Sequence, residues 1–112
     1  MIWTRERITN EALDPIVSAT QGYWKEEGGR EAVIEAGKAR VFVSASSDLT
    51  DAYDDDVRAA TERMLEVPKG VVWINIGHGT GSDVLAERIA RMILSRWPGV
   101  LDRNEMPGSL AP

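Results

Sequence analysis

The sequence predicts one α+β domain, a two-layer sandwich in which helices cover a mostly antiparallel or mixed sheet. Three observations point to it. Glu31–Ala36 and Ala39–Ala45 are two β-rich runs joined at Gly37-Lys38, and Val71–Ile76 is a near-continuous apolar run. After that run, apolar residues recur at helical spacing as far as Trp97. The order is roughly β-α-β-β-α-β-α, which leaves the helices to pack largely on one face of the sheet. A length of 112 residues fits a single core. The domain is expected over residues 1–106, with residues 107–112 as a loose tail.

Each element has a local reason. Ile2 to Ile8 sets Ile2, Thr4, Glu6 and Ile8 against Trp3, Arg5 and Arg7 and reads as an edge strand. Asp14-Pro15 supplies a cap residue and a proline at the first helical position, so a short helix is expected over Pro15–Thr20. Tyr23 and Trp24 fall in the connection that follows, which Gly28-Gly29 ends. Val33, Val41, Phe42 and Val43 suit a half-buried pleated surface, and Gly37 permits the positive φ of a tight hairpin turn.

The acidic loop Asp48–Asp56 runs into a helix over Asp55–Glu66, with Val57, Ala60, Met64 and Leu65 on its apolar face and Pro68-Lys69-Gly70 as its stop. Val71–Ile76 is expected to be a central strand, covered on both faces or nearly so. Beyond a glycine-rich turn at Gly77–Gly81, Ser82 or Asp83 caps a long helix reaching Trp97. Leu85, Ile89, Met92, Ile93 and Trp97 face inward, while Glu87, Arg88, Arg91 and Arg96 face water. Pro98-Gly99 stops this helix, and Val100–Asp102 makes a last short strand. Trp73 and Trp97 fall on core faces. Trp3 and Trp24 lie in segments whose burial the pattern does not assign.

Composition narrows the function. There are no cysteines, which excludes disulfides, thiolate metal sites and cysteine nucleophiles. A net charge of −5 argues against nucleic acid as a partner. No apolar run approaches the ~18 residues of a membrane span, and the N-terminal residues lack a signal-peptide core, so a cytoplasmic protein with no membrane partner is expected. Asp48–Asp56 lacks the central glycine and closing glutamate of a calcium loop, and no metal or cofactor is expected.

Two stretches carry functional possibilities. The acidic run, with Asp51, Asp54, Asp55 and Asp56 around Tyr53, either solvates a helix start or presents a negative surface with an aromatic anchor to a cationic protein. His78, the only histidine, is an outlying contact candidate. In Asn75–Asp83 the glycines would let backbone approach a ligand closely at a helix N-terminus. Gly77, Gly79, Gly81 and Asp102 resemble the first motif of class I S-adenosylmethionine-dependent methyltransferases. That likeness covers only Val71–Asp102, and Asn75 stands where the family carries an acid. It implies, as the alternative function, binding of S-adenosylmethionine or a nucleotide at Gly77–Gly81. The simpler reading of the same turn is a capped strand-to-helix connection.

Over the same stretch, an apolar strand, a Gly-x-Gly-Ser-Asp turn, a helix and the ending Arg96-Trp97-Pro98-Gly99-Val100-Leu101-Asp102 resemble the C-terminal half of small immunity proteins encoded beside polymorphic bacterial toxins. This resemblance implies a non-enzymatic cytoplasmic protein that binds and blocks one cognate toxin. It assigns no binding residues by motif. The expected partner surface is therefore the one read from the residues themselves: Asp51, Tyr53, Asp54, Asp55 and Asp56, with His78.

Overall fold

The alternating pattern at the centre of the chain does build a sheet. A computed structural model describes residues 1–25, 31–49 and 54–102. Its elements are β1 (Ile2–Thr4), a 3-10 turn (Glu11–Leu13), α1 (Asp14–Ala19), β2 (Tyr23–Trp24), β3 (Ala32–Ala36), β4 (Ala39–Ser46), α2 (Asp54–Met64), β5 (Gly70–Ile76), α3 (Ser82–Arg96) and β6 (Gly99–Leu101). The strands form one sheet in the order β2-β3-β4-β5-β1-β6, and each neighbouring pair is antiparallel. The fold is α+β. The expected tail at 107–112 lies outside the described residues.

The β3–β4 hairpin forms as its turn chemistry predicts, with Gly37 at φ 63°. Along β4 the side chains alternate strictly. Ala39, Val41, Val43 and Ala45 are buried, while Arg40, Phe42, Ser44 and Ser46 face the other way. The buried set joins Ile2, Ile34, Val72, Leu85, Ile89 and Ile93 in the main core, where α1 and α3 cover the sheet.

Among the described residues, a helix covers the opposite face only at its β5-β1-β6 end. There α2 places Ala60 and Met64 on Trp3 and Val71, with Met1, Val57, Trp73 and Val100 around them. Helices thus lie on both faces: α1 and α3 follow the one-face expectation and α2 does not. β5 is covered on both faces only through Val72, and its last residues, Asn75 and Ile76, are exposed.

Several local expectations are corrected. β1 is no edge strand. It spans three residues and lies inside the sheet, between β5 and β6. Thr4 ends it by donating its hydroxyl to the Glu6 carbonyl at 2.6 Å, while Ile8 is held separately through Ser47. Tyr23-Trp24 is a short strand paired with β3 rather than a plain connection. Neither α1 nor α3 has the expected side-chain cap. Asp14 is already helical and accepts the Trp24 indole N–H at 2.7 Å, and Ser82 turns its hydroxyl toward β4. The α3 faces are as expected for Leu85, Ile89 and Ile93, while Met92 and Trp97 are only half-buried against the core.

α2 ends earlier than its apolar pattern predicts. Leu65 was expected on the buried face, but the helix stops at Met64 and Leu65 takes φ 62°, leaving it 91% exposed. An L-residue with a side chain is strained in that region by about 1–2 kcal/mol. One residue of left-handed backbone therefore turns an expected core leucine into water.

Trp3 is the largest fully buried side chain. Its indole N–H is the one buried side-chain polar atom among the described residues without a hydrogen-bond partner. Trp3→Ala should destabilise by roughly 3–5 kcal/mol, as deletion of a large buried aromatic does, and by more than Trp97→Ala. Trp3→Phe should lose far less, because it removes an unsatisfied donor along with part of the packing. Denaturant unfolding of the three variants gives the ranking.

Candidate functional site

α2 begins with three consecutive carboxylates, Asp54, Asp55 and Asp56, which the positive end of the helix dipole favours. Asp54 and Asp55 are exposed and Asp56 is half-buried. Val57, one residue on, packs beside Trp73 against the Trp3 cluster. The acidic turn therefore stands at the margin of the part of the sheet face that no described helix covers. On that face Tyr23, Phe42 and Asn75 lie in register across β2, β4 and β5, with Val33 between Tyr23 and Phe42.

The cations of that face are already engaged. Lys25 pairs with Glu31 at 3.0 Å and lies 4.9 Å from the centre of the Phe42 ring, and Arg40 pairs with Glu35 at 3.2 Å. None of the ion pairs among the described residues involves Asp54, Asp55 or Asp56. A cationic group that Asp56 acts on is the Met1 ammonium, which donates to the Asp102 carbonyl at 2.7 Å. Burial lowers its pKa below the usual 8.0, and the charges of Asp102 and Asp56 work in the opposite direction.

The structure keeps Asp54, Asp55 and Asp56 together and sets His78 apart. Asp51 and Tyr53 lie outside the described residues. His78 is exposed in the turn after β5. Gly77 is already four residues beyond Trp73 along the strand, about 13 Å at strand rise.

The glycine turn is folded onto the protein itself. A Cβ on Gly79 would lie 1.4 Å from the Lys38 carbonyl oxygen, so the close backbone approach that glycine permits is made to the β3–β4 hairpin. Gly77 donates its N–H to the Arg40 carbonyl at 2.8 Å. Buried Ser82 completes the junction: its hydroxyl accepts the Arg40 N–H at 2.9 Å and donates to the Gly79 carbonyl at 2.6 Å. Gly81, at φ 85°, carries the chain into α3.

Asp102 does not reach this turn. Its N–H donates to the Met1 carbonyl, which places it level with Trp73 and two strands away. Two strand spacings of about 4.8 Å and four residues of about 3.3 Å put it roughly 16 Å from Gly77. The four residues of the methyltransferase-like motif are therefore not gathered around one space.

Sequence reasoning missed the exposed apolar residues at the far end of α2. Leu65 is 91% and Val67 62% exposed. No residue-type signal marks a leucine with positive φ.

No family model, characterised protein or solved structure matches the chain. Among the described residues, no group of three or more histidine or carboxylate side chains is placed to hold a metal ion, and no helix is long and apolar enough to cross a membrane.

The junction at Gly79 gives a direct prediction. Gly79→Ala should lower the stability of the ligand-free protein by about 3 kcal/mol, because the added methyl meets backbone that cannot swing away. Ser82→Ala should cost about 1–3 kcal/mol by leaving the Arg40 N–H unsatisfied. Urea midpoints measured without any added nucleotide check both. Unchanged midpoints would return the turn to the list of ligand sites.

Proposed function

We propose that this protein is a cytoplasmic immunity protein, neutralising a cognate toxin domain by stoichiometric binding and not by catalysis. The observation that carries this reading is the state of α2. Its three N-terminal aspartates have no ion-pair partner among the described residues, while Lys25 and Arg40 on the same sheet face are already paired. An acidic helix start with no ion pair among the described residues, close to the half-buried Trp73, suits a basic partner surface. Such charge raises the association rate and selects the partner. The resemblance of Val71–Asp102 to immunity proteins supports the same conclusion. The alternative of S-adenosylmethionine or nucleotide binding loses its main support, since Gly79 is filled by the Lys38 carbonyl and Asp102 is remote.

The test is a charge reversal, Asp54/Asp55/Asp56→Lys, assayed against the toxin domain encoded by the adjacent reading frame. Loss of a desolvated charge pair costs about 2–5 kcal/mol of affinity, and loss of a rim charge mainly slows association. The variant should stop protecting cells that express the toxin, and the wild-type association rate should fall as salt rises. Carboxylates at a helix start also stabilise the helix, so a melting curve must accompany the binding curve. A folded variant that binds as tightly as wild type would remove these residues from the interface.

A further inference from the structure

We propose that α2 is a hinged strap. It opens as one unit about its tethered C-terminal end, with the sheet, α1 and α3 intact, and opening lets water reach the orphaned indole N–H of Trp3.

Burial separates α2 from the rest of the molecule. The sheet carries two apolar clusters, one on each face, and α2 belongs to the smaller. Of its 11 residues only Ala60 and Met64 are buried, whereas α3 sinks Leu85, Ala86, Ile89, Ala90 and Ile93 into the main core. A helix that buries so little opens at a lower free energy than the core elements it leaves behind. The motion belongs to the free protein and does not depend on which partner α2 meets.

The attachments of α2 are unequal along its length. At the C-terminal end Arg5 donates to the Met64 carbonyl at 2.9 Å and pairs with Glu66 at 3.2 Å. Arg63 donates to the Leu101 carbonyl at 3.0 Å, and just beyond the helix the Lys69 N–H donates to the Thr4 carbonyl at 3.0 Å. Toward the start, Val57 packs on the Trp3 cluster. Among the described residues, however, no side-chain hydrogen bond or ion pair joins residues 54–60 to the sheet. The Met64 end is therefore the pivot, and the acidic start is the end that swings.

Trp3 gives the second, independent reason. Its indole is fully buried in the cluster that Val57, Ala60 and Met64 close, and its N–H has no partner there. Closed α2 thus keeps from water a donor for which the protein supplies no acceptor. Opening returns that hydrogen bond and partly offsets the apolar surface it exposes.

Native-state hydrogen exchange of the whole free protein tests the strap. The amides from Arg58 to Met64 should share one level of protection and exchange roughly a hundredfold faster than those from Ile89 to Ile93. Ile89→Val, confined to the main core, should speed exchange in α3 about fivefold and leave α2 unmoved, because Ile89 stays buried when α2 opens. Equal acceleration in both helices would show that α2 opens only when the whole protein unfolds, and the strap would be wrong. Protection that rises residue by residue from Arg58 inward would mean fraying from the helix start, which also overturns it.

A second variant isolates the indole. Trp3→benzothienylalanine keeps the bicyclic shape and lacks the N–H. Both α2 and α3 should then exchange about tenfold more slowly, since both openings hydrate the donor in the wild-type protein. Slowing confined to α3 would mean that the indole stays covered when α2 opens, and would remove Trp3 from the device.

Discussion

β1 lies between β5 and β6, and its side chains serve both faces of the sheet at once. Ile2 points into the core beneath α1 and α3, while Trp3 points the other way and carries α2. The backbone of the same segment ties down its neighbours. Arg5 donates its N–H to Pro98 before β6, Thr4 accepts from Lys69 before β5, and the Arg5 guanidinium holds the last carbonyl of α2. Three residues of strand have few ladder bonds of their own, so their position depends on burial of Ile2 and Trp3. In turn β6, α2 and the α2–β5 connection depend on β1. Both ends of α2 owe their placement to this arrangement, the acidic start through Val57 and the exposed Leu65 through Arg5.

A second junction stands at the other end of β5. Gly79 on the Lys38 carbonyl and Ser82 between Arg40 and Gly79 fasten α3 to the β3–β4 hairpin. This explains why a glycine-rich turn resembling a cofactor loop occurs in a chain where the protein itself makes the close approach at Gly79. Glycine allows close approach, but the residue type does not say whether ligand or protein makes it. The two junctions divide the molecule, with a rigidly packed turn at one end of β5 and a charged, partly uncovered surface beside α2.

That division also separates the parts of the molecule by the core on which each rests. The main core keeps the sheet and α3 fixed, while α2 rests on the smaller cluster around Trp3. Exposed apolar side chains at the end of α2 lie in water, whereas the carboxylates at its start sit where the helix dipole favours them.

The sequence by itself determined the elements whose signal is local. Alternation in Ala39–Ser46, the turn at Gly37, the apolar run leading into Ile76 and the helical spacing of Leu85, Ile89 and Ile93 all depend on neighbours within a few residues, and each was legible. So were the three carboxylates at the start of α2. Tertiary structure alone decided the rest. The interior place of β1 depends on strands 66 and more residues away, and nothing in Ile2-Trp3-Thr4 distinguishes an edge from a centre. Whether Gly79 faces a ligand or Lys38, whether Asp102 lies near the turn, and whether α2 covers the face opposite α3 depend on the pairing of distant segments. Leu65 shows the limit most clearly. Its helical spacing promised burial, but a single positive φ, fixed by the anchoring of Met64 and Lys69 to the β1 end, turned it to solvent.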